Sequence, residues 1–553
     1  MKRNTLLRIG LAVLLFVSLI MIKCTDALKD VQVTVNSDIF KYTSLIDVAS
    51  SSGASMDDAT VTISGTDASK IFNMDGYQDF KINGGILTFA VDPNSSPSDN
   101  APIEFSVTIK KSGYSTVNIP IVITKSDSST LQYVTMVDNS NPPEGVTSTN
   151  NTINVENGTV GGDTTIVVGT GTVEEGATTI DLKAGTQFKD ASGKVLGTAT
   201  DVKTTTLTVD ASSNEALAVF PGGSLAQNSV KTSGGSSAAG TLFPAGLTEV
   251  TMTANGTEVK GFTTPVQINL TLDDNYINPS TNAVVKEGDN LQVYSYSTDN
   301  GYWQYENTGT VVKKDGHLAV SIATSHLTWF MAGQFSSACG SNLSLKVKAD
   351  WLVNGITSPV TFKVYSTTNG STADKVIASA TITAKNGDTA TLRNTPNIPI
   401  VVKAFDAVGN QIYSQTISNP CGAGVQEAAL TKSDAMNNAK TTMQLYVRCP
   451  NNTKPINVLP TFYLYFKIAG TADSNYKLIG KVVNGYISTT LLDVTKRFDF
   501  KAVWGSTVKV VKDKSVSADN TATVGDNQGA GELIGTKAGA TNLEILKEKC
   551  DGL

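Results

Sequence analysis

The chain has 553 residues, too many for one hydrophobic core and enough for about three to five domains at roughly 100–200 residues each. Charged residues make up 17% of it and the formal net charge is −6. No Lys/Arg cluster occurs beyond the N-terminus, which argues against a nucleic-acid partner, because phosphate binding needs a concentrated basic face. Ser, Thr, Asn and Gly are abundant, a composition suited to short strands joined by polar turns. The expected fold class is all-β, built from tandem immunoglobulin-like β-sandwiches behind an N-terminal signal segment.

Residues 1–27 open with Lys2, Arg3 and Arg8, followed by an apolar run from Ile9 to Ile22 that ends at Lys23-Cys24. A charged start and a run shorter than the roughly 20 residues of a membrane span read as an export signal. Two processing routes stay open: lipidation of Cys24, or cleavage after Ala27. The segment resembles the signals of bacterial envelope lipoproteins, with Lys23 where that family has a small residue. The resemblance implies a lipid on Cys24, the membrane as partner through that lipid, and a place in the cell envelope, at the outer membrane or cell surface.

Residues 28–127 carry short alternating runs. In "IEFSVTIK", Ile103, Phe105, Val107 and Ile109 fall on one face while Glu104, Ser106, Thr108 and Lys110 fall on the other. Several such strands predict one immunoglobulin-like sandwich. Residues 128–154, with "DNSNPPEGVTSTNNT", read as a linker. The central region, 155–333, contains "TPVQINLTL", whose Val266, Ile268, Leu270 and Leu272 again alternate with polar residues, and "KTSGGSSAAG" (231–240), expected to be a mobile loop. The remainder holds a diverged repeat. "VTFKVYSTTNGSTADKVIASATI" from Val360 aligns with "PTFYLYFKIAGTADSNYKLIGKV" from Pro460, and "VKAFDA" from Val402 aligns with "FKAVWG" from Phe500. This predicts two β-sandwich copies, 338–424 and 444–553, with a linker at 425–443 and a loop insertion at 516–532 in the second.

Apart from Cys24 the cysteines are Cys339, Cys421, Cys449 and Cys550, an even number in an exported chain, for which disulfides are the default. Three connectivities are possible. Cys339–Cys421 and Cys449–Cys550 are favoured because each pair brackets one repeat copy. Wide spacing, with neither histidine nearby, argues against a zinc site.

The segment "SIATSHLTWFMAG" contains His326-Leu327-Thr328. With Trp303 upstream and Phe330 following, it resembles the end of the GAIN domain of adhesion receptors and, more loosely, the β-domains of ankyrin and netrin receptors. That resemblance implies His326 as general base, Thr328 as nucleophile and scission of the Leu327-Thr328 bond. The family's cysteines ahead of the tripeptide are absent here. The alternation of Leu327, Trp329 and Met331 gives a structural alternative, an edge strand with these side chains in the core, and an intact chain is expected. Nothing else forms a catalytic constellation: there are two histidines in all, no HExxH and no G-x-S-x-G. Asp273, Asp274 and Asn275 offer oxygens to calcium but lack EF-hand spacing and read as a solvated turn. No metal and no cofactor is expected.

The sequence thus points to a non-catalytic, envelope-anchored structural or adhesive protein with a surface protein or glycan as partner. One alternative is a glycan-binding accessory protein using Tyr302, Trp303 and Tyr305 as stacking rings. The other is a self-processing domain.

Overall fold

The computed structural model describes residues 33–36 and 40–523 apart from short internal stretches, chiefly 169–177, 368–374, 450–455 and 517–520. Residues 1–27 with Cys24, and Cys550, lie outside the described residues. The fold is all-β; the one α-helix among the described residues is the single turn Asn214–Leu217.

The repeat emerges as two sandwiches of identical topology. In the first copy the strands are Leu343–Lys348, Ser358–Ser366, Val376–Ala384, Thr389–Leu392, Ile400–Phe405, Gln411–Ile417 and Val425–Ala429. The opening strand pairs antiparallel with the fourth and parallel with the last, while the third, second, fifth and sixth form the facing sheet in that order. In the second copy Thr441–Gln444, Phe462–Ile468, Lys477–Val482, Tyr486–Thr489, Arg497–Trp504, Thr507–Ser515 and Thr521–Thr523 occupy the same places. The N-terminal sandwich, Thr43–Ser50 to Ser129–Met136, follows the scheme too, with Thr43–Ser50 parallel to Ser129–Met136. It departs at the short third strand, Ile71–Phe72, which pairs with the fourth strand, Ile86–Val91.

These pairings correct several boundaries. Residues 128–154 are no linker: Ser129–Met136 closes the first sandwich and Val146–Asn154 is the edge strand of the central sheet. Their polar character reflects solvent on one side. Residues 425–443 likewise supply a last strand, Val425–Ala429, and the start of a first, Thr441–Gln444. The stretch 231–240 is no mobile loop but the turn of a hairpin between Ala226–Lys231 and Ser237–Ala254. Of the supposed insertion at 516–532, Thr521–Thr523 is the closing strand of the last sandwich; most of the rest lies outside the described residues.

The central unit runs from Val146 to Ser337 and is one sheet folded on itself. Its long strands, Ser237–Ala254 and Tyr302–Lys314, serve both halves. Ala226–Lys231 pairs with both of them, and with Asn290–Ser297 and Trp329–Ser337 between, the five strands close a ring. The sharp bend falls where Pro244 and Gly246 break register against Gly333. A Cβ on Gly333 would lie 2.1 Å from the Phe243 carbonyl oxygen, so only glycine fits there.

The units are not beads on a string. One connected apolar cluster runs from Ile153 of the central unit through Phe362 of the third to Phe498 of the last. A separate cluster joins the chain's two ends: Leu45 and Ile86 of the first sandwich pack against Tyr463, Tyr465, Leu478 and Val503 of the last. Leu45 and Tyr465 are fully enclosed there, and burial of Leu45 favours the closed arrangement by about 1.5–3 kcal/mol.

Candidate functional site

His326 ends the strand His317–His326 and Trp329 begins the strand Trp329–Ser337, so Leu327 and Thr328 form a two-residue crossing between the halves of the central unit. Leu327 N–H donates to the Lys260 carbonyl on one side, at 3.3 Å, and the Thr328 carbonyl accepts from Val250 N–H on the other, at 3.1 Å. Leu327, Trp329 and Met331 are buried, as are Phe330 and Ala332. The segment is therefore not an edge strand: Trp329–Ser337 is covered on both faces and lies between Asn290–Ser297 and Ser237–Ala254.

The two groups needed for self-cleavage have other partners. The Thr328 hydroxyl donates to the Tyr296 carbonyl, which holds the proton a base would have to remove. His326 Nδ1 lies 3.1 Å from the Thr324 hydroxyl, and its ring packs against Phe330 at 5.5 Å. His326 Nε2 is buried and stands 3.6 Å from Glu306, beyond hydrogen-bond reach. Glu306 in turn accepts from Ser295 at 2.5 Å and from Gln304 at 3.0 Å. Right residue types are thus present without the base-to-nucleophile bond that general-base catalysis requires.

The proposed stacking rings do not form a platform. Trp303 is buried in the strand ring, stacked on Phe220 at 5.0 Å, and its indole N–H donates to the Pro221 carbonyl at 3.2 Å. Tyr302 lies beneath the Lys231 ammonium at 4.4 Å, and Tyr305 packs edge-on to Tyr294 at 5.8 Å. Trp303 is therefore a core residue, because a ring this large is most stabilising where its apolar body is enclosed and its N–H is paired. The acidic turn serves its own chain: Asp273 accepts from Asn275 N–H at 2.8 Å and Asp274 from Leu318 N–H at 3.0 Å. Among the described residues no three His, Cys, Asp or Glu side chains group as metal ligands.

Cys339 and Cys421 are joined in a disulfide spanning 82 residues, fastening the exit of the central unit to the turn before the closing strand of the third. Cys449–Cys550 falls outside the described residues.

Two ionisable groups that sequence reasoning missed sit at the junctions between units. Glu249 is buried against the first sandwich, where Ser115 donates to its carboxylate at 2.8 Å, and burial pushes its carboxyl up to about 7. Lys375, just before the third strand of the first repeat sandwich, reaches into the central unit. It donates to the Pro244 carbonyl at 3.2 Å and lies over Tyr276 at 5.2 Å, with burial pulling its ammonium down to about 8. Neither position stands out in sequence, since each is made unusual by a partner more than a hundred residues away. Other polar ties reinforce these junctions: Arg393 bonds Thr124 at 2.9 Å and Asp127 at 2.5 Å, and Asn118 donates to the Thr298 carbonyl at 3.0 Å.

No protein-family model matches the chain, and no curated protein matches it. Among solved structures it is similar to the Bacillus anthracis TIE protein, at 12% identity and a TM-score of 0.11 over 71% of this chain. That match spans 57% of the TIE protein's length. BcpA, the major pilin subunit of Bacillus cereus, is similar at 8% identity and a TM-score of 0.13 over 70% of this chain and 98% of that one. A Streptococcal ancillary pilin follows at 10% identity and a TM-score of 0.12, over 47% and 95% of the two chains. Likeness at this level specifies no site, and the functional reading rests on the geometry above.

Proposed function

We propose that the chain is an exported, non-catalytic structural or adhesive protein of the bacterial cell surface, held to the envelope through a lipid on Cys24. The observation that carries this reading is the closure of the molecule. Three sandwiches, two of them of one topology, and a central folded sheet are tied by apolar seams, buried hydrogen bonds and a long-range disulfide, an arrangement suited to bearing load and presenting a fixed outer surface. The Cys339–Cys421 bond supports an oxidising destination. The basic and apolar start of the sequence supports export. The alternative of a self-processing domain is weakened by the separate partners of His326 and Thr328.

The test is made on intact cells. The chain should be digested by external protease, should enter the detergent phase as wild type and leave it as Cys24→Ala, and cells lacking it should attach less to a surface. A chain protected from external protease and recovered from the cytosol is incompatible with this reading.

A further inference from the structure

A cavity of about 850 Å³ opens where the first sandwich and the two repeat sandwiches meet. Its lining includes a contact between the two repeat copies, Thr357 N–H donating to the Ser488 carbonyl at 2.9 Å, and beside it the Thr442 and Ser488 hydroxyls of the last sandwich lie 2.9 Å apart. One wall is the outer side of Val376–Ala384, presenting Thr381 and Thr383. Tyr463, Lys481 and Tyr486 of the last sandwich and Leu131 of the first also line the cavity.

We propose that this cleft binds an oligosaccharide. Three features agree on that chemistry. The first is the hydroxyl lining. Thr381 pairs with Thr361 at 2.9 Å and Thr383 accepts from Lys481 N–H at 3.2 Å. A hydroxyl has one donor and two acceptor sites, so each of these retains capacity for a ligand hydroxyl. The second is Tyr486, whose ring is 48% exposed at the cleft mouth although it follows the turn Asn484-Gly485, where a polar side chain would satisfy the fold equally. A ring held half in water on a rigid strand offers a flat apolar surface to the C–H face of a sugar at low entropic cost. The third is charge: the Lys385 and Lys481 side chains lie along the lining with one carboxylate, Asp388, so the cleft also accommodates a uronic acid. Trp303, by contrast, is committed to the core and contributes nothing to this surface.

The site deepens the adhesive reading by naming a ligand class, but it is tested on purified chain, so its failure leaves the cell-surface result standing and the converse holds too. The purified protein is run in native gels containing galactomannan, a neutral polymer, or polygalacturonate, an acidic one. Retardation is expected in at least one gel, and the gel in which it occurs distinguishes neutral from acidic sugar. Tyr486→Ala should weaken it at least tenfold without changing the melting temperature. Tyr77→Ala, which removes a ring 70% exposed on the first sandwich, should leave it unchanged. Absence of retardation in both gels overturns the proposal, as does retardation that survives Tyr486→Ala.

Discussion

The two repeat sandwiches present the same sheet face to different surroundings. Alignment of "VTFKVYS" with "PTFYLYF" places Lys363 at the position of Tyr463 and Tyr365 at that of Tyr465, and Lys403 corresponds to Lys501. Both copies keep a lysine over a tyrosine: Lys403 lies 4.5 Å from the Tyr365 ring and Lys501 4.8 Å from the Tyr465 ring. In the last copy the first sandwich covers this face, with Leu45 and Ile86 on Tyr463 and Tyr465 and with Asp47 near Lys501. In the first copy Lys363 replaces one tyrosine and lies 5.4 Å from the Phe405 ring. The difference teaches that shared topology does not decide which faces close. One outward position, charged in one copy and aromatic in the other, separates a half-open face from a seam.

The strongest way to break that comparison is to truncate the shared tyrosine in both copies. Tyr465→Ala removes a ring enclosed on both sides and should cost about 3–5 kcal/mol, whereas Tyr365→Ala should cost about half as much or less. Because a multidomain chain does not unfold in two states, the readout is hydrogen-exchange protection of each sandwich. Equal losses in the two copies would show that the first sandwich contributes nothing to the last.

Next in size is the covalent asymmetry. Replacing Cys339 and Cys421 together by serine should cost about 2–4 kcal/mol, concentrated in the first repeat sandwich, with the last sandwich keeping its exchange rates. Peptide mapping without reduction should also find Cys449 joined to Cys550. A Cys421–Cys449 link would instead tie the two copies to each other.

A third prediction contrasts the apolar seam with the polar junction at Glu249. This carboxyl faces Ser115 and Trp329, with Lys260 and Glu258 nearby, and titrates at about 7 in the folded chain against an ordinary value of 4.5. Between these values the folded state holds a proton that the unfolded state has lost, so stability is greatest below pH 4.5 and declines as pH rises to about 7. The full difference is worth about 3 kcal/mol. Glu249→Gln should therefore flatten the pH dependence of the junction between pH 5 and 8 and leave the seam unaffected. Lys375 has the opposite sense: its ammonium titrates at about 8 against 10.5, so its junction should tighten as pH rises from 8 to 10.5.

The strands and the repeat were legible because alternation is local: Ile103 to Ile109 and Val266 to Leu272 are buried on the side their spacing indicates. The misread stretches share a different cause. Ser129–Met136 is a strand only because Thr43–Ser50 lies beside it, more than eighty residues earlier, and no local pattern reports such a partner. Trp303 looked like a surface ring because Phe220, on which it stacks, comes from more than eighty residues earlier in the chain. Glu249, Lys375 and the sugar cleft were invisible for the same reason: each arises where two or more units meet.

The smallest effect is expected at the tripeptide, where the lesson of the two sandwiches applies again, since surroundings rather than residue type assign the role. Thr328→Ala removes one hydroxyl and its bond to the Tyr296 carbonyl, and should cost about 0.5–1.5 kcal/mol. Thr324→Ala should cost a similar amount by releasing His326 Nδ1. Wild type and both variants should each migrate as one full-length species after denaturation and reduction, because the Thr328 proton is held by a carbonyl and the imidazole is held by Thr324. A fragment beginning at Thr328 in wild type and absent from Thr328→Ala would show that the crossing reaches a second geometry, in which His326 turns from Thr324 to Thr328 and the two-residue link between the sheet halves is cut.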